Sequence, residues 1–247
     1  MIESVVEGPV ARITLARPER HNALDREAMA ALTAELDRLA ALPELRALVL
    51  TGTGRSFCSG AALDGLAADW TRNPLTALCD RLEAFPRPTV CALNGGAYGG
   101  GVELALACDF RIGVEGMRLF VPPAKLGIHY EPAGISRALR VMGQQATRRL
   151  FLLAETFGDT ALRDLGFLDH LVAPEALGPR VEALVEEIAA LAPLAVSGMK
   201  RTITELATGT LDAEAARGRI AACFASADHA EGLAAMRDKR TPRFTGA

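Results

Sequence analysis

The chain has 247 residues, half of them apolar, so it is long and apolar enough to bury a sizeable core. Its formal net charge is −3, with acidic and basic residues mixed along the chain, which gives no global attraction to nucleic acid. There is no apolar run long enough to span a bilayer and no basic-then-apolar leader, so we expect a soluble protein without a membrane partner or a secretory signal. Five scattered cysteines without CxxC spacing favour a reduced, cytoplasmic chain.

The first half of the chain alternates between strand-like and helix-like segments. Two short strands are predicted at about 2–6 and 10–15, followed by a helix that starts near Asp25 and carries an apolar stripe at Met29, Leu32 and Leu36. The segments "RALVLTG", "TVCALNG" and "FRIGVEG" are typical of buried strands, and "GGVELALACD" is typical of a helix. This alternation predicts an α/β architecture with parallel strand pairing.

The second half, beyond Leu126, is predicted to be mostly helical. One helix from Ala176 ends before Pro193, and "LAVSGMKRTITELA" and "LDAEAARGRIAACFASADHAEGLAAMRDKR" predict two further helices. We therefore divide the chain into a core over residues 1–192 and a C-terminal helical region over residues 193–247. The helical region either serves subunit contacts or packs on its own core.

The glycine-rich stretch "LNGGAYGGGVELALACD" raises a chemical possibility. A helix that begins near Gly99 or Gly100 points its first N–H groups at a ligand, and Glu103 lies on the same face one turn later. This arrangement favours an oxyanion site with an adjacent acid or base. The alternative is that the glycines allow close packing on strands and that Glu103 caps the helix. The stretch is not GxGxxG, which argues against dinucleotide binding.

A second backbone donor is expected on the loop "FCSGAALDGL". Gly60 and Ala61 are small enough to present backbone N–H groups to a ligand. Two N–H groups that converge on one oxygen stabilise an oxyanion or enolate.

Five motifs in register resemble the enoyl-CoA hydratase/isomerase (crotonase) superfamily: "ITLARPERHNAL", "RALVLTGTGRSFCSGAAL", "LNGGAYGGGVELALACD", "PPAKLGI" and "EGLAAMRDKRTPRFTG". The resemblance implies a spiral core of ββα turns and C-terminal helices for trimerisation, as a homotrimer or a dimer of trimers. It implies an acyl-CoA substrate whose thioester oxygen lies between the N–H groups of Ala61 and Gly100. It implies no metal and no redox cofactor, since coenzyme A enters as part of the substrate.

The resemblance also implies a set of coenzyme A contacts. The CoA chain would run along Arg20, Ala23 and Leu24. The adenine and pantetheine would lie near Ala61, Ala62, Leu63 and Asp64. Near the C-terminus, Lys239 and Phe244 match positions that close over the nucleotide, either in the same chain or from a neighbouring subunit.

The chain departs from the family pattern at one catalytic position. Hydratases of the family carry two glutamates, and Glu103 matches the first, but Pro123 occupies the place of the second. The following loop, "LGIHYEPAG", offers His129, Tyr130 and Glu131 as proton-transfer groups, of which Tyr130 is the catalytic candidate. Tyr130 and Pro123 resemble the methylmalonyl-CoA decarboxylase branch, which however has His where this chain has Ala61.

Each candidate also has a structural interpretation. Tyr130 would line the acyl pocket, His129 would be a surface or packing residue, Glu131 would be solvated unless its loop folds inward, and Cys58 would be a structural thiol.

The sequence leaves three candidate functions. The first is hydration or dehydration of an enoyl-CoA through Glu103. The second is decarboxylase- or isomerase-type enolate chemistry with Tyr130 near the reacting carbon. The third is acyl-CoA binding without turnover.

Overall fold

The computed structural model describes residues 2–62 and 74–247, and its larger sheet has six strands in the order β1-β2-β3-β5-β7-β10. The first two strands are antiparallel and all later neighbours in this sheet are parallel. The strands of this sheet are β1 (Ile2–Glu7), β2 (Val10–Leu15), β3 (Ala47–Gly52), β5 (Thr89–Leu93), β7 (Phe110–Val114) and β10 (His170–Val172).

The smaller sheet has four strands in the order β4-β6-β8-β9. They are β4 (Ser56–Cys58), β6 (Gly96–Tyr98), β8 (Arg118–Phe120) and β9 (Phe157–Gly158). Three successive stretches of chain each place one strand in the large sheet, the next in the small sheet, and then a helix. The sequence segment after "RALVLTG", which was predicted to be all loop, therefore contains the short strand β4.

The large sheet is covered by apolar side chains on both faces, as expected for parallel strands. Along β3, Ala47 and Val49 join the cluster beneath the helix that carries Leu184, whereas Leu48 and Leu50 join the main core on the other face. This two-residue alternation follows from the pleat of the strand.

The helices of the core are α1 (Arg26–Ala40), α2 (Pro74–Glu83), α3 (Gly100–Ala107), α4 (Pro132–Leu152), α5 (Asp159–Asp164) and α6 (Leu177–Ala189). The predicted N-cap of α1 is confirmed, because the Asp25 carboxylate accepts a hydrogen bond from Ala28 N at 2.8 Å. The α4 helix is interrupted at Gly143, whose φ of 74° lies outside the helical range. Among the residues described, no helix combines the length and apolar character that crossing a membrane requires.

The C-terminal helices are α7 (Pro193–Thr208), α8 (Ala213–Phe224) and α9 (Ala227–Asp238). The single helix predicted over "LDAEAARGRIAACFASADHAEGLAAMRDKR" is wrong, because this segment forms two helices. Ser226 separates them: its side chain accepts a hydrogen bond from His229 N and caps the second helix. Pro193 occupies the first position of α7, where proline starts a helix as readily as it ends the preceding one. The role of these helices in trimerisation remains a prediction.

Candidate active site

The N-terminus of α3 lies where the glycine-rich stretch predicted it. The helix begins at Gly100, and Gly99 before it has a φ of 51°. A side chain on Gly101 would come within 2.3 Å of the carbonyl oxygen of Cys58 in β4. The glycines therefore allow the helix to pack directly against the strand, as the structural interpretation of this stretch proposed.

The Gly60–Ala61 backbone lies against the first residue of α3. Gly60 has a φ of 87°, and a Cβ at this position would lie 2.4 Å from Gly100 N. From the other side, a Cβ on Gly100 would lie 3.3 Å from Ala61 N. The 2.4 Å contact and the positive φ require glycine at position 60, and this close approach brings the two predicted donors together.

The neighbouring backbone groups of this loop are already paired. Leu24 N donates to Gly60 O at 2.8 Å, and Ala62 N donates to Leu24 O at 2.8 Å. Within residues 2–62 and 74–247, no acceptor is recorded for the N–H groups of Ala61 and Gly100. Because backbone donors away from water normally have partners, this pair is suited to receive an oxygen of a ligand.

These donors open into a cavity of about 120 Å³ between the Gly60 loop, α3 and the segment before α4. Its described lining residues are Ser59, Ala61, Leu75, Gly99, Gly100, Glu103, Pro122, Pro123, Leu126, Ile128, His129, Tyr130 and Glu131. The cavity thus brings together Ala61, Gly100, Glu103 and Tyr130, the four residues predicted for the oxyanion site and for catalysis.

Glu103 is 1% exposed, in the first turn of α3. Its Oε1 accepts a hydrogen bond from Arg137 Nη1 at 2.9 Å, and its carboxylate also accepts from the Tyr130 hydroxyl. Burial raises the pKa of Glu103, whereas the hydrogen bond from Tyr130 and the positive charge of Arg137 oppose that rise. Glu103 is thus a buried carboxylate with raised basicity, suited to exchange a proton.

Tyr130 lines the cavity beside Glu103, and its catalytic role stays a prediction. Its ring packs against Phe151 at a centroid distance of 5.0 Å, and its hydroxyl reaches Glu103. Burial and the nearby Glu103 charge raise the pKa of Tyr130 well above its usual value. Its hydroxyl therefore stays protonated and acts as a hydrogen-bond donor.

Two residues of the site were missed by the sequence analysis. Gly134 in α4 lies so close that a Cβ would come 2.8 Å from Glu103 Oε2 and 2.4 Å from Tyr130 Cε1. Arg137, one turn later, is 2% exposed and carries the ion pair to Glu103. The available signal was periodicity, since Gly134, Arg137 and Ala138 form one buried stripe of α4 in which an arginine is unusual.

The segment between β8 and α4 forms a second wall of the cavity and carries the departure from the family pattern. Pro123 begins a 3-10 turn, Pro123–Leu126, and lines the cavity without supplying a carboxylate. His129 is exposed, with Nδ1 2.7 Å from Tyr130 O. Glu131 is half-buried directly before α4, and within the described chain no hydrogen bond or ion pair is recorded for its carboxylate. The loop therefore folds toward the cavity and does not leave Glu131 fully solvated.

The predicted coenzyme A contacts are only partly assembled in one chain. Leu24 forms an isolated parallel bridge with Ala61, so the "RHNAL" loop lies beside the Gly60 loop, and Arg20 is exposed at the end of a 3-10 turn. Ala23 and Ala62 are half-buried there, whereas Leu63 and Asp64 lie outside the described residues. At the other end of the chain, Lys239 ends α9 and Phe244 packs 3.6 Å from the Cβ position of Gly232. Neither of the last two lines the cavity, and their coenzyme A contacts stay predictions.

Asn22 and Cys58 hold these two loops together. The Asn22 side-chain amide donates to the carbonyl oxygens of Ser56 and Phe57 at 2.8 and 3.0 Å. Cys58 donates through Sγ to Asn22 O at 3.1 Å, and burial raises the pKa of Cys58 to about 12. The thiolate is the nucleophilic form of cysteine, and Cys58 stays protonated. These observations support the structural interpretation of Cys58.

Comparison with known proteins identifies the family of the chain. The family model for enoyl-CoA hydratase/isomerase matches residues 6–247. The chain is 33% identical to enoyl-CoA isomerase/hydratase fer4 of Mycosarcoma maydis, covering 96% of this chain and 93% of the relative. It is 32% identical to 1,2-epoxyphenylacetyl-CoA isomerase of Escherichia coli K12, over 99% and 98% of the two chains.

Solved structures give the same result for the fold. The crystal structure of an enoyl-CoA hydratase/carnithine racemase from Magnetospirillum magneticum superposes with a TM-score of 0.91 at 30% identity, covering 100% of this chain and 96% of that one. The predicted crotonase-like α/β fold is thereby confirmed. The chain belongs to the enoyl-CoA hydratase/isomerase family, whose members act on acyl-CoA substrates.

Proposed function

We propose that this protein hydrates an enoyl-CoA, or dehydrates the corresponding 3-hydroxyacyl-CoA, with Glu103 as the acid and base. One observation carries the proposal: two backbone N–H groups without recorded acceptors in the described chain, those of Ala61 and Gly100, adjoin the cavity that Glu103 lines. An acyl-CoA reaction through an enolate needs this pairing of an oxyanion site with a proton-transfer group.

In the proposed reaction, the thioester oxygen accepts hydrogen bonds from the N–H groups of Ala61 and Gly100. These hydrogen bonds stabilise the negative charge that develops on the oxygen. Glu103 takes one proton from a water molecule whose oxygen bonds to C3 of the enoyl group. The resulting enolate receives that proton back from Glu103 at C2, so that one water is added in total. Tyr130 donates to Glu103 throughout and keeps its carboxylate in place. A single carboxylate is sufficient for this balance, although the family hydratases use two.

Isomerase-type enolate chemistry is the second candidate, and the observation that favours it is Glu131. This second carboxylate lines the same cavity, and no partner is recorded for it in the described chain. Double-bond migration requires a proton to leave one carbon and another proton to reach a carbon two bonds away. Two carboxylates on different walls of one cavity can divide these steps, with Glu131 acting at one carbon and Glu103 at the other.

The test is incubation of the pure protein with crotonyl-CoA in oxygen-18 water, followed by mass spectrometry of the thioester. We expect the wild-type protein to form labelled 3-hydroxybutyryl-CoA. Glu103→Gln should lose this product, and the control Glu115→Gln, at an exposed residue, should retain it. A parallel incubation with 3-hexenoyl-CoA measures isomerisation. Conversion of the 3-enoyl substrate to the 2-enoyl product, without hydration of either, would replace the first candidate by the second. Saturable binding of acyl-CoA thioesters, including malonyl-type ones, with no product from any would overturn both.

A further inference from the structure

An ionic cluster links the buried Glu103 carboxylate to more exposed carboxylates through the buried Arg137 side chain. It joins three helices: Glu103 from α3, Arg137 from α4, and Asp80 with Glu83 from α2. Arg137 Nη1 donates to Glu103 Oε1, whereas its Nη2 donates to Asp80 and, at 3.1 Å, to Glu83 Oε2. Arg137 and Glu103 are 2% and 1% exposed, so solvent screens their ion pair poorly, whereas the Asp80 carboxylate faces solvent.

The two oxygens of Glu103 have different surroundings. Oε1 is occupied by the Arg137 guanidinium, while Oε2 lies over Gly134, 2.8 Å from the position of a missing Cβ. The absence of a side chain at Gly134 keeps room on the Oε2 side, where the Tyr130 ring also lies. The fixed guanidinium fork thus orients the carboxylate, and lysine would not reproduce that geometry.

The cluster holds more acidic than basic groups. Arg140 also pairs with Glu83, so three carboxylates share two guanidinium groups among the described residues. The cluster therefore contains one more acidic than basic group, and a proton taken up by Glu103 would balance it. Asp80 raises the pKa of Glu103, and Arg137 lowers it. Among the described residues, Cys79 and Tyr130 also face Glu103, and both stay neutral because burial raises their pKa values. His129 and Glu131 are the further titratable groups described in the lining of the same cavity.

We propose that Arg137 is a positioning residue of the active site, which holds Oε1 of Glu103 and leaves Oε2 for proton transfer, while Asp80 limits how strongly Arg137 favours the ionised carboxylate. The inference rests on the proposed function, in which Glu103 exchanges the proton. The role of Arg137 is to act through Glu103, without contact with the substrate.

The test compares Arg137→Gln, Arg137→Lys and Asp80→Asn with a control variant at an exposed ion pair outside the cluster. In Arg137→Gln, we expect the acidic limb of the kcat profile to move to higher pH and kcat at neutral pH to fall at least about tenfold. Arg137→Lys keeps the charge and should recover part of the loss. Asp80→Asn removes a negative charge near Glu103, so its acidic limb should move to lower pH. The control is Asp37→Asn, which breaks only the exposed Asp37–Arg81 pair between α1 and α2 and should leave the profile unchanged.

A second readout separates this inference from the proposed reaction. Carbon-13 NMR of protein labelled at the glutamate side-chain carboxyl, with Glu103→Gln for assignment, follows the titration of Glu103 without any turnover. The opposite shifts in Arg137→Gln and Asp80→Asn are then expected even if crotonyl-CoA is not a substrate. Unchanged midpoints in both variants, or shifts in the same direction, would overturn the proposal. If Arg137→Gln does not fold, Asp80→Asn is tested alone, because Asp80 is exposed and its replacement should not disturb folding. An unshifted Glu103 midpoint in Asp80→Asn would then also overturn the proposal.

Discussion

The two walls of the cavity differ in how firmly their polar groups are held. On one wall, Glu103 is almost fully buried and receives hydrogen bonds from Tyr130 and Arg137, two groups brought by α4 and the segment before it. On the other wall, Pro123 and Glu131 are half-buried in a segment whose residues 124–127 are exposed, and no side-chain partner is recorded for Glu131 in the described chain. Under the proposed function, the carboxylate that exchanges the proton is therefore fixed before the substrate arrives, whereas the second carboxylate is oriented by the substrate or takes no part.

The first way to break this comparison is to remove the fixed carboxylate. We expect Glu103→Gln to lower kcat by about 10²–10⁴-fold, since the amide keeps the shape but cannot take a proton. Acyl-CoA binding, measured by calorimetry, should persist because Ala61 and Gly100 still offer their N–H groups. Protonation of Glu103 should also set the acidic limb of the wild-type kcat profile. Because burial raises the pKa of Glu103, kcat should begin to fall at a pH above the usual pKa range of a glutamate. A variant with full activity would show that the buried carboxylate is structural.

The second prediction concerns the backbone donors. In Gly60→Ala, the new Cβ would lie 2.4 Å from Gly100 N, and the residue would also have to keep a φ of 87°. The loop must therefore move away from α3, and we expect kcat/KM to fall by about 10²-fold, the usual effect of losing one oxyanion donor.

Gly178→Ala is the matched control for that change. No atom lies within 4 Å of its Cβ position, so activity should be unchanged. Circular dichroism of both variants checks that the fold is retained. A folded Gly60→Ala protein with normal kcat/KM would argue against the role of this loop in stabilising the oxyanion.

Local patterns in the sequence were sufficient for the elements that carry the site. The start of α3 at Gly100 follows from the triple glycine, and the Asp25 cap of α1 follows from the residue type and the apolar stripe behind it. Residue type and spacing pointed to Glu103 and to the Gly60–Ala61 loop, and the family resemblance then assigned Ala61 and Gly100 as the two donors. The structure places Ala61, Gly100 and Glu103 beside one cavity. These features depend on residues close together in sequence.

What could not be predicted depends on contacts between distant segments. Arg137 and Glu103 are 34 positions apart, and their ion pair exists only because α3 and α4 pack together. The inward position of Glu131 depends likewise on how its loop meets the cavity. The break before α9 was missed for a different reason, since helix formers flank Ser226 on both sides and hide its capping role.

A third pair of variants sharpens the comparison by testing both walls at once. Tyr130→Phe removes the hydroxyl that donates to Glu103, and we expect a loss of about tenfold in kcat together with an acidic limb moved to higher pH. Glu131→Gln should leave hydration of crotonyl-CoA nearly unchanged, because that reaction needs only Glu103. The same change should abolish conversion of 3-hexenoyl-CoA if the second carboxylate serves isomerisation. Equal effects of both variants on both substrates would remove the distinction between the walls.

The smallest expected effect is at the cysteine beside the donors. Cys58, Cys79, Cys91 and Cys108 are buried, and only Cys223, in α8, is partly accessible. Because burial raises the pKa of Cys58 to about 12, its thiolate is scarce at neutral pH and its sulfur is shielded. Iodoacetamide should therefore add one label per chain, at Cys223, with no loss of turnover on crotonyl-CoA. Peptide mapping by mass spectrometry locates the label. Rapid labelling of Cys58 with loss of activity would mean that the Gly60 loop opens in solution. Glu103 would then be held firmly, but the backbone donors beside it would not.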